Sequence, residues 1–429
     1  MGRKWILFVL LVLLFAPMLA LAGGDQEAAQ EQVTLQLFRW GSGPGKAAYD
    51  AAFARFEMDH PGVTVEMSDV SWGEFVDSMV KFQMAESLPD IVAQYDATIG
   101  SFVSFGSLLD LTPYLPEGFK EEFYPGQWDH PVVNGKPYGV TFRNGAHVLF
   151  YNVDMFRDAG VDPKGPATTK DVVEAAIACT VDNNGDGTPE QYGYMDAYGD
   201  EEGYHQLRSY MYASGRNLVN FDTMEATMNM PEGIAALQML VDLNVKHKAV
   251  PAGALGKAHT LRNEEFANGL GAMVEGGNWI EASIRDAAAG FEYSAVLLPY
   301  NSDFVDTQMG GSAAFVAHSV AANSEHPELA AALIVEQLGE AEFIAEYCEA
   351  RNLLPPRIDV ATTNPYWSKG LWPVYVKATT VPNYHALPKH PKVVELSKIM
   401  RLAIEKAMMG QATVKEALDE AAVSWNKIK

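Results

Sequence analysis

Residues 33–92 switch repeatedly between two hydrophobic periods, and that alternation limits the fold more than any other feature of the chain. Val33, Leu35 and Leu37 alternate with polar residues over Val33–Trp40, the period of a half-buried strand. Gly41-Ser42-Gly43-Pro44-Gly45 breaks the run. Tyr49, Phe53 and Phe56 then recur at helical spacing until His60-Pro61-Gly62. A second strand follows over 63–67 and a second helix over 71–86, and Leu88-Pro89-Asp90-Ile91-Val92 opens a third strand. Strands alternating with helices predict an α/β fold with a largely parallel sheet. At 429 residues the chain exceeds one comfortable core, so two lobes are expected.

The pattern changes near residue 136. Pro137-Tyr138-Gly139-Val140-Thr141-Phe142 and residues 147–152 read as extended runs separated by Arg143-Asn144-Gly145, where Asn-Gly signals a turn. Helices are expected over 169–179, 204–214, 231–247 and 261–268, strand character over 293–298, and an apolar run over 313–317. Two more helices, over 327–350 and 391–409, precede a terminal one. That one opens with the capping-box spacing Thr413-Val414-Lys415-Glu416 and buries Val414, Leu418, Ala421 and Trp425.

The first residues carry an address. Arg3 and Lys4 precede a short apolar run over 5–15, and Ala20-Leu21-Ala22 stands before Gly23. This reads as a secretory signal peptide over 1–22, followed by a polar, flexible leader over 23–32. The alternative is an uncleaved anchor, although a span needs about 20 apolar residues. Cys179 and Cys348 are the only cysteines and neither follows the cleavage site, so no lipid anchor is expected. The two thiols either pair across the fold or stay buried as small apolar side chains. A formal charge of −24 repels nucleic acid and anionic membrane, whose phosphates need clustered Lys and Arg.

Motifs for catalysis fail one by one. The Gly41–Lys46 turn is no phosphate loop, because Trp40 stands where its first glycine belongs and Ala47 where its Ser/Thr belongs. Gly310-Gly311-Ser312-Ala313-Ala314 lacks the closing glycine of a nucleophile elbow. No histidines pair at the spacing of a zinc protease. A glycosidase pair such as Asp96 with Glu275 can be drawn, but 55 acidic residues supply such pairs by chance. One loop does carry specific chemistry. Asp182, Asn184, Asp186, Thr188 (through its carbonyl) and Glu190 fall at the positions of a calcium loop, with Gly187 sixth. Gly193 stands where the bidentate glutamate belongs, so an Asx-rich turn without an ion is the competing reading. A structural Ca2+ is the one cofactor these residues suggest; none is required.

The aromatic residues point to a ligand. Trp40, Trp72, Tyr95, Trp279, Trp367 and Trp372 lie at or beside expected loops or strand ends. Flat rings beside hydrogen-bonding groups suit sugars, while ordinary core packing competes at each position. Gly276-Gly277-Asn278-Trp279 stands out, since glycines let backbone approach closely and Asn278 both donates and accepts.

In this order the segments resemble the extracellular solute-binding proteins of sugar ABC importers, the family that includes maltose-binding protein. The resemblance rests on Leu88-Pro89-Asp90-Ile91-Val92, Tyr138-Gly139-Val140 with Leu149-Phe150-Tyr151-Asn152, and Gly271-Ala272-Met273-Val274-Glu275-Gly276-Gly277-Asn278-Trp279. Gly310-Gly311-Ser312-Ala313 and Gly410-Gln411-Ala412-Thr413-Val414-Lys415-Glu416-Ala417-Leu418 complete it. It implies a two-lobed periplasmic-binding-protein fold, type II-like, with the ligand cleft between lobes joined by hinge crossovers. The expected lobes are 33–143 with 296–345, and 144–295 with 346–429; the chain would cross near 142–146, 293–299 and 338–347. By position, Trp40, Ser42, Gly43, Tyr95 and Asp96 would line the first wall, and Tyr204, His205 and Trp279 the second. Gly311, Ser312 and Arg357 complete the candidate site.

The resemblance further implies a soluble, monomeric, non-catalytic protein of the periplasm. It would capture a mono- or oligosaccharide by lobe closure and deliver it to the transmembrane subunits of a permease. A polyamine or other non-sugar solute is the main alternative from the same fold, and a secreted glycosidase the more distant one. An adhesin finds no support, because repeats are absent.

Overall fold

The computed structural model describes residues 32–41, 43, 45–288 and 290–429. The signal peptide, all but the last residue of the leader, and Ser42 lie outside the described residues. The alternation at the start is realised as β1 (Val33–Trp40), helix Lys46–Asp59, β2 (Val63–Val70), helix Trp72–Ala85 and β3 (Ile91–Tyr95). β1 pairs in parallel with β2 on one side and β3 on the other. A small hairpin of β4 (Val132–Val133) and β5 (Lys136–Pro137) follows.

The next strand holds the molecule together. Val140–Asn152 is a single 13-residue strand, β6, with no turn at Asn144-Gly145. Its first half pairs antiparallel with β9 (Gly310–Val320). Its second half pairs with β7 (Met273–Gly277) and β8 (Tyr293–Val296). Asn-Gly signals a turn only when the flanking runs pair with each other, and here each run has other partners. Asn144 instead exchanges backbone hydrogen bonds with Leu354. β9 returns along β6 and reaches β3, while its start pairs with β10 (Asn383–His385). The order β2-β1-β3-β9-β6-β7 is thus parallel at one end and antiparallel at the other.

Two expected long helices are interrupted. The segment over 231–247 is helix Pro231–Val241 followed by a π turn over Asp242–Lys246. The segment over 327–350 becomes Pro327–Leu333, a π turn over Ile334–Leu338, and Ala341–Arg351. The terminal helix Val414–Ile428 has its capping box: Thr413 accepts from the Glu416 backbone and Glu416 from that of Thr413. Its face of Val414, Leu418, Ala421 and Trp425 is buried.

One apolar cluster runs through both ends of the sheet, from Leu35, Leu37 and Tyr49 to Phe150, Val274 and Ile284. Phe38, Phe75, Met79 and Val92 cluster on one face of the parallel end. Leu149, Tyr194, Leu207, Leu237 and Trp425 pack around the antiparallel end together with the last two helices. Cys179 and Cys348 are buried, unpaired thiols. No helix among the described residues is long and apolar enough to cross a membrane.

Candidate functional site

Where the two ends of the sheet meet, a cavity of about 440 Å³ opens. That volume lies within the range of small-molecule sites. Trp40, Trp72 and Tyr95 reach it from the parallel end, and His147, His205 and Trp279 from the antiparallel end.

The first wall is a packed aromatic cluster. β1 ends at Trp40 and β3 at Tyr95, so neighbouring strands deliver their last side chains to one edge. Trp72 opens its helix, whose start is held by a capping box between Ser71 and Glu74. The Trp40 and Trp72 rings lie 4.8 Å apart and those of Trp72 and Tyr95 4.9 Å apart, both edge-on. Phe75 supports Trp40 from beneath at 4.6 Å. Such edge contacts contribute about 0.5–1.5 kcal/mol each beyond burial.

The second wall is placed by missing side chains. A Cβ on Gly145 would come 2.5 Å from Trp279 Cζ3, and one on Gly277 2.0 Å from it. Two glycines on paired strands therefore leave the slot in which the indole lies. Asn278, which looked free to meet a ligand, is committed to the fold. Its Oδ1 accepts from the Ala146 N–H at 3.0 Å and its Nδ2 donates to the Asn352 carbonyl. Asn352 Nδ2 donates back to the Asn278 carbonyl at 2.9 Å.

Charges around the cavity are mostly matched. Helix His205–Ala213 presents His205 and Arg208 three residues apart on one face. Arg208 lies 3.9 Å from Asp96 and donates to Ser312 Oγ at 2.6 Å. Burial raises the Asp96 carboxyl above its usual range and Arg208 only partly offsets this. Burial, then Arg208, drives the basicity of His205 well down. His259 is held between Asp200 at 2.6 Å and Glu202 at 3.3 Å. Burial lowers its basicity, but Glu202 and Asp200 outweigh this and raise it. His147 Nδ1 lies 2.8 Å from Glu275. Burial pushes the Glu275 carboxyl up, and the His147 contact more than reverses this. Neither Asp96 nor Glu275 is thus an idle carboxylate.

Several buried donors in residues lining the cavity have no hydrogen-bond partner among the described residues: Trp72 Nε1 and Arg208 Nε and Nη1. Buried donors without acceptors are costly, so they call for a ligand or water rich in oxygen.

Of the residues expected here, Trp40, Tyr95, Asp96, His205 and Trp279 come together in the cavity wall. Ser42 lies outside the described residues, and the remaining ones stand elsewhere. Gly43 is exposed beside the cavity rather than in its wall. Tyr204 is buried among the apolar residues of the antiparallel end. Gly311 faces Tyr384 and the Ala378 carbonyl, and Ser312 positions Arg208. Arg357 is a structural tie: it bonds the Gly339 carbonyl, forks onto Asp359 and pairs with Glu122 at 2.6 Å. Lining residues that the sequence reading did not name include Arg143, Arg208, His259 and Arg351. Arg208 was legible as the residue one helical turn beyond His205; Arg143 was hidden by the supposed turn.

A larger compartment of about 830 Å³ shares Asp96 and Phe315 with this cavity and continues past Tyr384, His385 and Trp367. Trp40, Trp72 and Trp279 are not among its lining residues. Trp367 there donates its indole N–H to the Leu353 carbonyl, and Trp372 is core.

In the loop over 182–190 the acidic oxygens turn onto the backbone. Asp182 accepts from the N–H groups of Gly185 and Gly187, Asn184 from Asp186, Asp186 from Thr188, and Glu190 from Asn183. These Asx turns close the loop by themselves. Among the described residues no group of three or more His, Cys, Asp or Glu side chains is placed to hold a metal ion.

Residues 51–374 match the family described as bacterial extracellular solute-binding protein. A binding protein of Brucella abortus (strain 2308) is 21% identical over 99% of this chain and 98% of its own. The sn-glycerol-3-phosphate-binding periplasmic protein UgpB of Escherichia coli O1:K1 / APEC is 27% identical over half of this chain and 48% of its own. A solute-binding protein of an ABC transporter from Thermotoga lettingae TMO, solved with α-D-tagatose, superposes with a TM-score of 0.80 at 24% identity. That superposition covers 92% of this chain and 99% of the other, and it shows the two-lobed binding-protein fold.

Proposed function

Because the chain belongs to the bacterial extracellular solute-binding protein family, we propose that it captures a carbohydrate-class solute for an ABC importer. One observation carries the reading: indole rings from both ends of the sheet line a single cavity whose buried donors lack protein acceptors. A sugar offers both partners at once, C–H faces for the rings and hydroxyls for the donors. The relatives' ligands, a ketohexose and a glycerol phosphate, are likewise polyhydroxylated.

The protein acts by binding alone, closing its lobes on the solute and presenting it to the permease subunits. The basic and apolar signal sequence read over 1–22 supports export to the periplasm. A cationic solute is the weaker fit, because Asp96 and Glu202 already face Arg208 and His259. A thermal-shift panel of mono- and oligosaccharides, polyols and polyamines tests this reading. Stabilisation by one sugar class supports it; stabilisation by polyamines alone overturns it.

A further inference from the structure

We propose that the solute carries an anionic group, a carboxylate or a phosphate, which is received by the guanidinium groups of Arg143 and Arg351. The inference rests on the sugar-binding reading and adds the charge of the ligand. Both residues line the 440 Å³ cavity. Arg143 stands at the irregularity in β6, where the register shifts between Thr141 and Arg143, and such bulges re-aim a side chain. Its guanidinium carbon lies 5.2 Å from the centre of the Trp40 ring. Arg351 ends the helix Ala341–Arg351, and its Nη2 would lie 3.3 Å from a Cβ placed on Gly41. Both side chains thus reach the strand end that carries Trp40.

Among the described residues, neither guanidinium has a carboxylate within ion-pair distance. The acids nearby are otherwise engaged: Asp96 faces Arg208, Glu202 faces His259, and Glu275 faces His147. Glu264, the remaining acid in the wall, lies on helix His259–Ala267 from the other end of the sheet. A third guanidinium, Arg39, donates to the Trp40 and Gly41 carbonyls from the core side and lies 3.7 Å from Asp69. Burial disfavours the charge on Arg143 and Arg351 adds repulsion. Two like charges at a partly dry wall are thus held without a carboxylate partner among the described residues, in a chain of net charge −24. An anion there removes the repulsion and takes charge-assisted, forked hydrogen bonds, while Trp40 carries the sugar ring beside it.

The test is a calorimetric titration of matched ligands on the intact mature protein: a hexose, its uronate and its 6-phosphate. The inference expects an acidic member to bind at least about tenfold more tightly than the neutral hexose, with an advantage that shrinks in high salt. Arg143→Gln and Arg351→Gln, each checked for an unchanged circular-dichroism spectrum, should each reduce that preference at least about fivefold. The uronate and phosphate arms tell carboxylate from phosphate. Equal or tighter binding of the neutral hexose overturns the inference and leaves the sugar reading standing. Binding of no polyol, charged or neutral, overturns both. If the variants misfold, the salt dependence of the wild-type preference decides.

Discussion

The two walls of the cavity hold their tryptophans by opposite means. Trp40 and Trp72 are fixed by what surrounds them, a nest of Phe75 and Tyr95 rings that pack on one another. Trp279 is fixed by what is absent, the side chains that Gly145 and Gly277 do not have. Among the described residues its aromatic neighbour is His147, edge-on at 5.4 Å. A wall built by packing couples ligand contact to stability, so it is hard to change without loosening the fold. A wall built on glycine separates the two, and its indole can be moved or removed at smaller structural cost.

The largest effect should come from Trp72→Ala. Removing the ring between Trp40 and Tyr95 leaves a void, and a loss of about 2–3 kcal/mol is expected in urea unfolding. Next comes Gly277→Ala, whose new methyl meets the Trp279 ring. Overpacking of this kind costs about 1–2 kcal/mol. The cost should largely vanish when Gly277→Ala is combined with Trp279→Ala, because the atoms it meets are gone. Equal costs in both backgrounds would break the comparison. Trp279→Ala alone should lower ligand affinity by about 1 kcal/mol while changing unfolding stability by less than that. A stability loss as large as that of Trp72→Ala would erase the distinction between the walls.

A pH effect sharpens the comparison from beneath the second wall. Asp196 is buried, with Tyr198 donating to it, and burial pushes its carboxyl up to about 7. The unfolded chain loses that proton near pH 4. Between about pH 4 and 7 the folded state therefore holds a proton that the unfolded state has released, so stability falls as pH rises through that window. Asp196→Asn should flatten the decline relative to the wild type, read from urea midpoints across pH; an unchanged slope would contradict it. The smallest effect is expected at the loop over 182–190. Its oxygens already accept backbone N–H groups, so a calcium chelator should shift the melting temperature by less than about 2 °C, a fraction of 1 kcal/mol. A larger shift would establish a structural ion there.

How far the sequence could be read follows the same division. Strand and helix periods at 33–92 appear in the structure at nearly the expected residues, because each element buries its own repeating face. The family resemblance places Trp40, Tyr95, Asp96, His205 and Trp279 in one site, and the cavity wall brings them together. Asn144-Gly145 misled, since a local turn signal cannot reveal that its two flanks pair with β9 on one side and β7 on the other. Arg357 and Arg351 show the same limit: the first is captured by Asp359, Glu122 and Gly339, and the second is left to the cavity. The Glu122 that completes the capture of Arg357 lies far along the chain, where sequence spacing does not reach.

The central claim is that a polyhydroxylated solute binds between these walls and leaves unchanged. Calorimetric titration of the purified mature chain with a panel of sugars and sugar acids, followed by mass analysis of the recovered ligand, tests it most directly. The account predicts saturable binding of one solute per chain, with the ligand recovered intact. Cleaved products in the recovered ligand, or no heat from any member of the panel, would contradict it.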